Sequence, residues 1–387
     1  MKILELGMHF DAAGGGADRY FAGLLNGLES LGEEVAAAAF GEASEPHRIA
    51  LGPVPLGLPG RLRAAHRLGG LGGLAGLGEP GGKLAGCQLF ASHFALYAYP
   101  LLGSLRRHRV PHVVHFHGPW AEESAGEGQS FLAVRAKRWL ERRVYASADR
   151  LIVLSGAFRD ILTERYGIAR ERIAVIPGGV DLDRFRPLCS PMEARERLGW
   201  PVDGKVILCV RRLVRRMGLE TLLDAFADVS AEHPEARLVI GGRGPLTGEL
   251  EERARALGIG EKVRLAGFIP DDDLPFAYAA ADFTIVPSQA LEGFGLITLE
   301  SLACGTPVLV TPVGGLPEAV AGLEPAMVLE GTSREALAAG LRRGLRPERL
   351  AALPSRERCR EYAQARFNWS RIAREVLEVY REAAKRE

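Results

Sequence analysis

Short apolar runs recur along the chain, each closed by turn-forming residues and most followed by a stretch of helical periodicity. Lys2–Gly7, Val35–Ala39, Cys87–Ser92, His112–His115, Leu151–Leu154 and Ile173–Ile176 make one series. Val206–Val210, Arg237–Ile240, Val263–Ala266, Phe283–Val286 and Val308–Thr311 make a second. Runs this short, with little polar alternation, predict strands covered on both faces, as in parallel sheets. Tyr20–Leu31, Ser130–Tyr145 and Trp369–Lys385 carry amphipathic helical patterns between or after them. Strand, turn, helix and strand in that order predict βαβ units and two α/β domains facing each other across a cleft. Pro187, Pro191 and Pro201 place a linker over 186–203, between a first domain 1–185 and a second 204–368, with 369–387 as a closing helix.

Composition narrows the function more than the fold. The 387 residues suffice for two domains. Hydrophobic and charged fractions of 47% and 25% are those of a globular protein. A net charge of +1 argues against nucleic acid as a partner. The five cysteines show no paired or metal-ligand spacing, which predicts free thiols in a reducing compartment. Met1–Leu4 runs straight into a strand pattern, and no apolar run has the roughly 18–20 residues of a membrane span. The expectation is a cytoplasmic protein.

Candidate chemistry concentrates at Gly-rich strand ends. Glu292 precedes a helix expected to begin near Gly295, and Glu300 lies eight residues on, so a continuous helix would stack both carboxylates on one face. Gly293 and Gly295 clear the approach to free helix-start N–H groups, which favour anions. Gly14-Gly15-Gly16, just after the first strand, is a turn able to admit a pyrophosphate, or merely a tight turn. His117-Gly118 ends a strand where open α/β sheets form binding crevices, with His115 as its competitor. Asp271-Asp272-Asp273 fits a capped helix start better than a metal site. Pro53–Gly86 is rich in Leu and Gly with a basic cluster, Arg61, Arg63, His66 and Arg67. It is a variable loop, or a poorly formed amphipathic helix that touches an acceptor or a membrane surface, with Arg106–Arg109 adding charge.

These motifs, in this order, resemble the retaining glycosyltransferases of family four. Glu292 to Glu300 matches that family's E-x7-E signature, and Ala303-Cys304-Gly305-Thr306-Pro307-Val308 resembles the A-x-G-x-P-V after it. Pro177-Gly178-Gly179-Val180-Asp181 is similar to its Pro-Asn-Gly-Val-Asp, and Gly241-Gly242-Arg243-Gly244-Pro245 to its Gly-x-Gly-Pro. The family form Gly-Arg-Leu, three residues, Lys-Gly aligns Arg212 with its Arg, but Met217 stands where its Lys does. Arg216 is then the expected substitute for the lost charge. The resemblance implies a GT-B fold and transfer of a sugar from a nucleotide diphosphate sugar to an acceptor hydroxyl, with retention, without metal or cofactor. It implies that Arg212 and Arg216 neutralise the leaving diphosphate, with Gly15, Gly16 and Arg19 against it. Glu292, His117 and the Phe294, Gly295 and Leu296 backbone would hold the donor sugar. Glu300 would take the ribose, and Arg243, Phe268 and Ile269 would border the base. The acceptor would be a sugar, a lipid-linked or a small molecule. Sugar-nucleotide epimerases share the architecture, and Met217 leaves room for a binding protein with weakened catalysis.

Overall fold

The computed structural model describes residues 1–10, 15–43, 45, 47–55, 57–70, 86–345 and 353–385. The chain divides into two compact units, Met1–Gly179 with Trp369–Glu387, and Val180–Asn368.

The first unit is built on seven parallel strands. They are β1 (Lys2–His9), β2 (Glu34–Phe40), β3 (Arg48–Ala50), β4 (Leu89–Ser92), β5 (His112–Phe116), β6 (Arg150–Val153) and β7 (Ile173–Val175). Their order is β3-β2-β1-β4-β5-β6-β7. Side chains alternate across each strand, so β1 serves two layers. Leu4 and Leu6 join Phe90, Val114, Phe116 and Val153 in one core. Ile3 and Glu5 point to the other face and are fully buried. The helices Gly16–Ser30 and Trp369–Ala384 pack against each other in this unit. They approach closely because Gly23 and Gly27 lack side chains: a Cβ at Gly23 would overlap the Trp369 ring, and one at Gly27 would press on Ala373. The sequence expectation missed only β3, a three-residue edge strand.

The second unit carries β8 (Lys205–Val210), β9 (Ala236–Gly241), β10 (Val263–Gly267), β11 (Phe283–Val286) and β12 (Val308–Val310), all parallel, in the order β10-β9-β8-β11-β12. The chain walks outward from β8 to β10, then returns to the opposite side with β11. The strand order therefore reverses between β8 and β11, and ligands of open α/β sheets bind beyond the C-terminal strand ends at such a point. Arg211 follows β8 directly, and Ser288 and Glu292 follow β11.

Two boundaries differ from the sequence expectation. The segment 186–203 is not a linker but part of the second unit. Its prolines misled: Pro191 opens a helix, Pro191–Leu198, at the position where proline costs nothing, behind a Ser190/Glu193 capping box. Arg195 from this helix is buried and donates to the carbonyls of Ala280, Val202 and Gly204 and to Asp282. The first division falls instead at Gly179/Val180, and the second at Asn368/Trp369, where it was expected. Val180 N–H donates to Phe367 O at 2.8 Å, so both crossings of the chain lie side by side.

Candidate functional site

The second unit gathers charge at the β8/β11 switch. Leu291 has φ +53, a left-handed conformation uncommon for a branched side chain, and such strain collects at functional sites. It turns its carbonyl to Arg216, whose Nη1 donates to it at 3.1 Å, and sends the next residue, Glu292, back toward β8. There the Glu292 carboxylate pairs with Arg211 and accepts from Ser288 Oγ at 3.0 Å. Arg211 Nη2 also donates to Ser288 Oγ at 2.7 Å and touches Met217 Sδ at 2.7 Å. The Arg211 and Glu292 side chains are only 7% and 12% exposed. Burial by itself would raise the Glu292 carboxyl, but Arg211, the Ser288 hydroxyl and Arg216 hold it below the usual carboxylate range.

The two departures from the family pattern thus meet in space. Arg211 stands where the Gly of Gly-Arg-Leu falls, and Met217 where the Lys falls. The Arg211 guanidinium lies against the Met217 thioether and on the carboxylate. A cation missing at one position is present at this spot from another. Sequence reasoning named Arg216 as the substitute; Arg211 is a further cation beside the same carboxylate that it did not name. Arg212, one residue on, is exposed, and its side chain has no hydrogen-bond partner among the described residues. Successive residues leaving a strand point to opposite sides, so Arg211 turns inward and Arg212 outward.

The helix of the E-x7-E stretch runs Leu296–Ala303, with Gly295 at its N-cap at φ +70 and no side-chain cap. Its first N–H groups are left for another acceptor. The helix starts at Leu296, near the expected Gly295, so Glu292 lies in the loop before it and no continuous helix stacks Glu292 and Glu300 on one face. Glu300 is 3% exposed and accepts from Tyr278 Oη at 2.8 Å. Phe294 is buried, edge-on to Phe367 at 5.8 Å. Gly314 folds against Glu292, whose carbonyl accepts from Gly315 N at 3.1 Å; a Cβ on Gly314 would collide with that carbonyl. Arg243 lies over the exposed Phe268 ring, 4.9 Å from its centroid, beside Ile269. The acidic run is not a cap: Asp273 occupies the N-cap position of Leu274–Ala280, but its carboxylate accepts from Arg197 at 3.1 Å, and Asp271 pairs with Arg184 at 2.9 Å. Two arginines in reach outbid backbone N–H groups.

In the first unit, Gly15 caps the helix Gly16–Ser30, and among the described residues nothing lies within 4 Å of where Cβ atoms of Gly15 and Gly16 would be. Arg19 is half-buried in its first turn, and Gly14 lies outside the described residues. Asp18, unforeseen, is buried and accepts from the N–H and ring of His9, both at 3.2 Å.

A buried chain of hydrogen bonds reaches His117. Glu5 Oε2 lies 2.9 Å from His93 Nε2, and His93 Nδ1 lies 2.9 Å from His117 Nε2. Tyr380 donates to Glu5 Oε1 at 2.6 Å and lies 2.6 Å from His115 Nε2; Tyr20 meets His115 Nδ1 at 3.3 Å. Donor atoms of Glu5, His93 and His115 fall within 4.8 Å of one another, but each already serves in this chain. Burial lowers His93 to about 3 and holds His115 and His117 well below the usual range, so the rings are neutral at pH 7. Burial also raises Glu5, while His115 and Tyr380 oppose the rise. An ionised Glu5 makes His93 Nε2–H the donor to it, His93 Nδ1 the acceptor from His117 Nε2–H and His117 Nδ1 a pure acceptor, whereas the protonated Glu5 that burial favours reverses each bond. The competitor His115 is spent between two tyrosines and is 2% exposed, whereas His117 is half-buried.

Two family signatures cover most of the chain: Glycosyltransferase Family 4 over residues 14–184 and Glycosyl transferases group 1 over 192–366. A D-inositol 3-phosphate glycosyltransferase of Thermobispora bispora is 40% identical over 256 residues, 64% of this chain and 59% of that one. The matches span little more than half the length of the first such relatives, 53% to 59%. Among solved structures, sucrose-phosphate synthase of Thermosynechococcus elongatus aligns over 99% of this chain and 98% of its own, with 25% identity and a TM-score of 0.81. HepE of Anabaena, in complex with UDP and glucose, aligns over 99% and 100% with 21% identity and a TM-score of 0.77. With both halves matched in order and a solved structure aligned over 99% of the chain, the chain belongs to the group 1 glycosyltransferases of family four and has their GT-B fold.

Proposed function

We propose that the chain transfers a sugar from a UDP- or GDP-sugar to an acceptor hydroxyl with retention of anomeric configuration. The observation that carries this is the Arg211–Glu292 pair with Arg216 beside it, set at the switch-point end of the second sheet next to an uncapped helix start. Breaking the bond from the anomeric carbon to the diphosphate puts negative charge on the leaving oxygens. Arg212 and Arg216, with the free N–H groups at Phe294, Gly295 and Leu296, meet that charge. This neutralisation asks for no metal ion. A new bond forms from the acceptor oxygen to the anomeric carbon on the face the diphosphate leaves, and the acceptor proton passes to a leaving phosphate oxygen. Glu292, fixed as an anion by Arg211, accepts from a donor-sugar hydroxyl, and His117 Nδ1, with Glu5 ionised, accepts from another. Glu300 accepts from the ribose, while Phe268, Ile269 and Arg243 border the base.

The HepE complex favours uridine as that base. The names of the inositol-phosphate and sucrose-phosphate relatives favour a small phosphorylated acceptor over an envelope glycan or a lipid-linked one. A thermal-shift panel of UDP, GDP, ADP and their sugars tests the donor. One diphosphate at 100 times its Kd stabilises by about 2.7 kcal/mol. The gain should vanish in Glu300→Gln and Arg216→Ala. A flat response across the whole panel in the native chain would reject the proposal, as would inverted product anomers by NMR with an accepted donor.

A further inference from the structure

The strands of the first sheet also frame a cavity at their other end. Met1, Gln88 and Pro111 stand just before β1, β4 and β5, which are neighbours in that sheet. With His108, Arg109, Arg381 and Lys385 they line a cavity of about 540 Å³. Small-molecule sites usually measure about 300–1,000 Å³. The strands are parallel, so this end is opposite to His117, which follows β5. The five residues of β5 set the two about 17 Å apart. The cavity is therefore remote from His117 and from the chemistry proposed above.

Arg109 reaches this cavity from a strained backbone. The helix Leu102–Arg107 ends in a Schellman turn: Val110 N–H donates to Leu105 O at 3.0 Å, and Arg109 N–H to Arg106 O at 3.3 Å. The turn needs a left-handed residue, and Arg109 fills that place at φ +53, where glycine would meet no steric penalty. The helix dipole does not call for this arginine, because Arg106 and Arg107 already put positive charge in the last turn. Nor does packing: the Arg109 side chain has no hydrogen-bond or ion-pair partner among the described residues, and those of His108 and Lys385 have none either. Arg381 pairs with Glu33 at 2.9 Å, but the same carboxylate also meets the Met1 ammonium. The lining itself holds no carboxylate, so positive charge is in excess there.

We propose that this cavity binds a small organic phosphate, its phosphoryl group on Arg109, Arg381 and Lys385 and its carbon skeleton on Val110, Pro111 and Ala384. Guanidinium forks hold phosphate oxygens bidentately, and a phosphate dianion matches an excess of charge that a single carboxylate would leave unmet. The basic run expected to add charge at an acceptor or membrane surface thus divides: Arg106 and Arg107 close a helix, and Arg109 lines a cavity. Of Pro53–Gly86, residues 56 and 71–85 lie outside the described structure, and Gly57–Gly70 is a helix.

The test is titration of phenyl phosphate and of inorganic phosphate into the full chain labelled with 15N-histidine. Binding is read at the His108 ring, whose signals His108→Gln identifies. Phenyl phosphate should shift them saturably with a Kd on the order of 1 mM or tighter, and inorganic phosphate more weakly. R109G, which relieves the left-handed strain, should unfold at the native temperature or above, yet bind at least about tenfold more weakly for one lost charge-assisted contact. K385E should lose as much. R216A, altered in the other unit, should respond like the native chain. The proposal is overturned if phenyl phosphate moves His108 no more than sodium acetate of equal ionic strength, or if R109G binds like the native chain. It is overturned equally if R216A abolishes the response, because His108 would then report the donor site. Equal affinities for the two phosphates would overturn the organic ligand and leave the free ion.

Discussion

If Arg211 carries the charge that the family pattern lodges at position 217, the two positions must depend on each other in a way neither single change reveals. Arg211→Ala strips Glu292 of the guanidinium it pairs with, in a pocket where both side chains are nearly closed to water. Breaking such a pair from one side costs about 3–5 kcal/mol. The Ser288 hydroxyl and the more distant Arg216 remain and set the lower end. Met217→Lys, which restores the family residue, should also harm. Its Cδ would replace the Sδ that now lies 2.7 Å from Arg211 Nη2, and its ammonium would end two bonds farther on in the same neighbourhood. Two like charges about 4 Å apart at an effective dielectric of about 20 repel by about 4 kcal/mol, which sharing Glu292 only partly offsets.

The double variant R211A/M217K removes the clash and returns a cation to Glu292. It should be more stable than either single variant, with a coupling of about 3 kcal/mol or more. Changes at non-interacting sites add to within about 0.5 kcal/mol. Urea unfolding of the four proteins at neutral pH gives the coupling directly, and titration of UDP into each shows whether donor affinity follows. The pH dependence adds a signature. In the native chain the Glu292 carboxyl is depressed, so its contribution is complete above the unfolded value of 4.5 and is lost as pH falls through the lower folded value. In R211A burial is no longer opposed by Arg211, the carboxyl rises, and the variant should lose stability as pH increases from 4 toward 7. Additive single effects, or a gain of stability and rate from M217K alone, would refute the exchange of cations between the two positions.

Two further outcomes follow from the buried histidines. Glu5→Gln presents an amide to His93 or Tyr380 in place of a carboxylate, which lets the chain reverse: His93 Nδ1–H then donates to His117, and His117 Nδ1 gains a proton. The 15N signals of His117 should exchange their protonated and unprotonated nitrogens, and donor-sugar KM should rise about tenfold for one lost hydrogen bond; unchanged tautomers would discard the relay from an ionised Glu5. Separately, burial lowers His93 and His112 from 6.5 to about 3. The unfolded chain therefore takes up these protons first, and stability complete above pH 6.5 falls as pH is lowered, by about 1.4 kcal/mol per unit for each ring. Urea midpoints at pH 7.5, 6 and 5, above most carboxylate titration, should fall together with the proton uptake; a level profile would contradict neutral buried rings.

What the chain disclosed before folding, and what it withheld, has a physical logic. Both sheets were legible because parallel strands covered on two faces must be apolar throughout, and such runs survive in sequence with their order intact. The places of Glu292, Glu300 and His117 at strand ends and a helix start were legible because turn chemistry is local, while the roles expected of them rested on the family resemblance. The partners were not. Glu5 meets Tyr380 across 375 positions, and His93 meets His117 across 24, through contacts that only the sheet order and the closing helix create. Arg211 was hidden for a subtler reason. Two adjacent arginines are equivalent in composition and spacing, and only the alternation at the end of β8 decides which one turns toward Glu292. Substitutions away from a motif are therefore hard to judge position by position. Met217 looks like a lost charge along the chain and like a contact surface for a relocated one in space, so activity in such divergent members depends on what neighbours the altered residue after folding rather than on the altered residue itself.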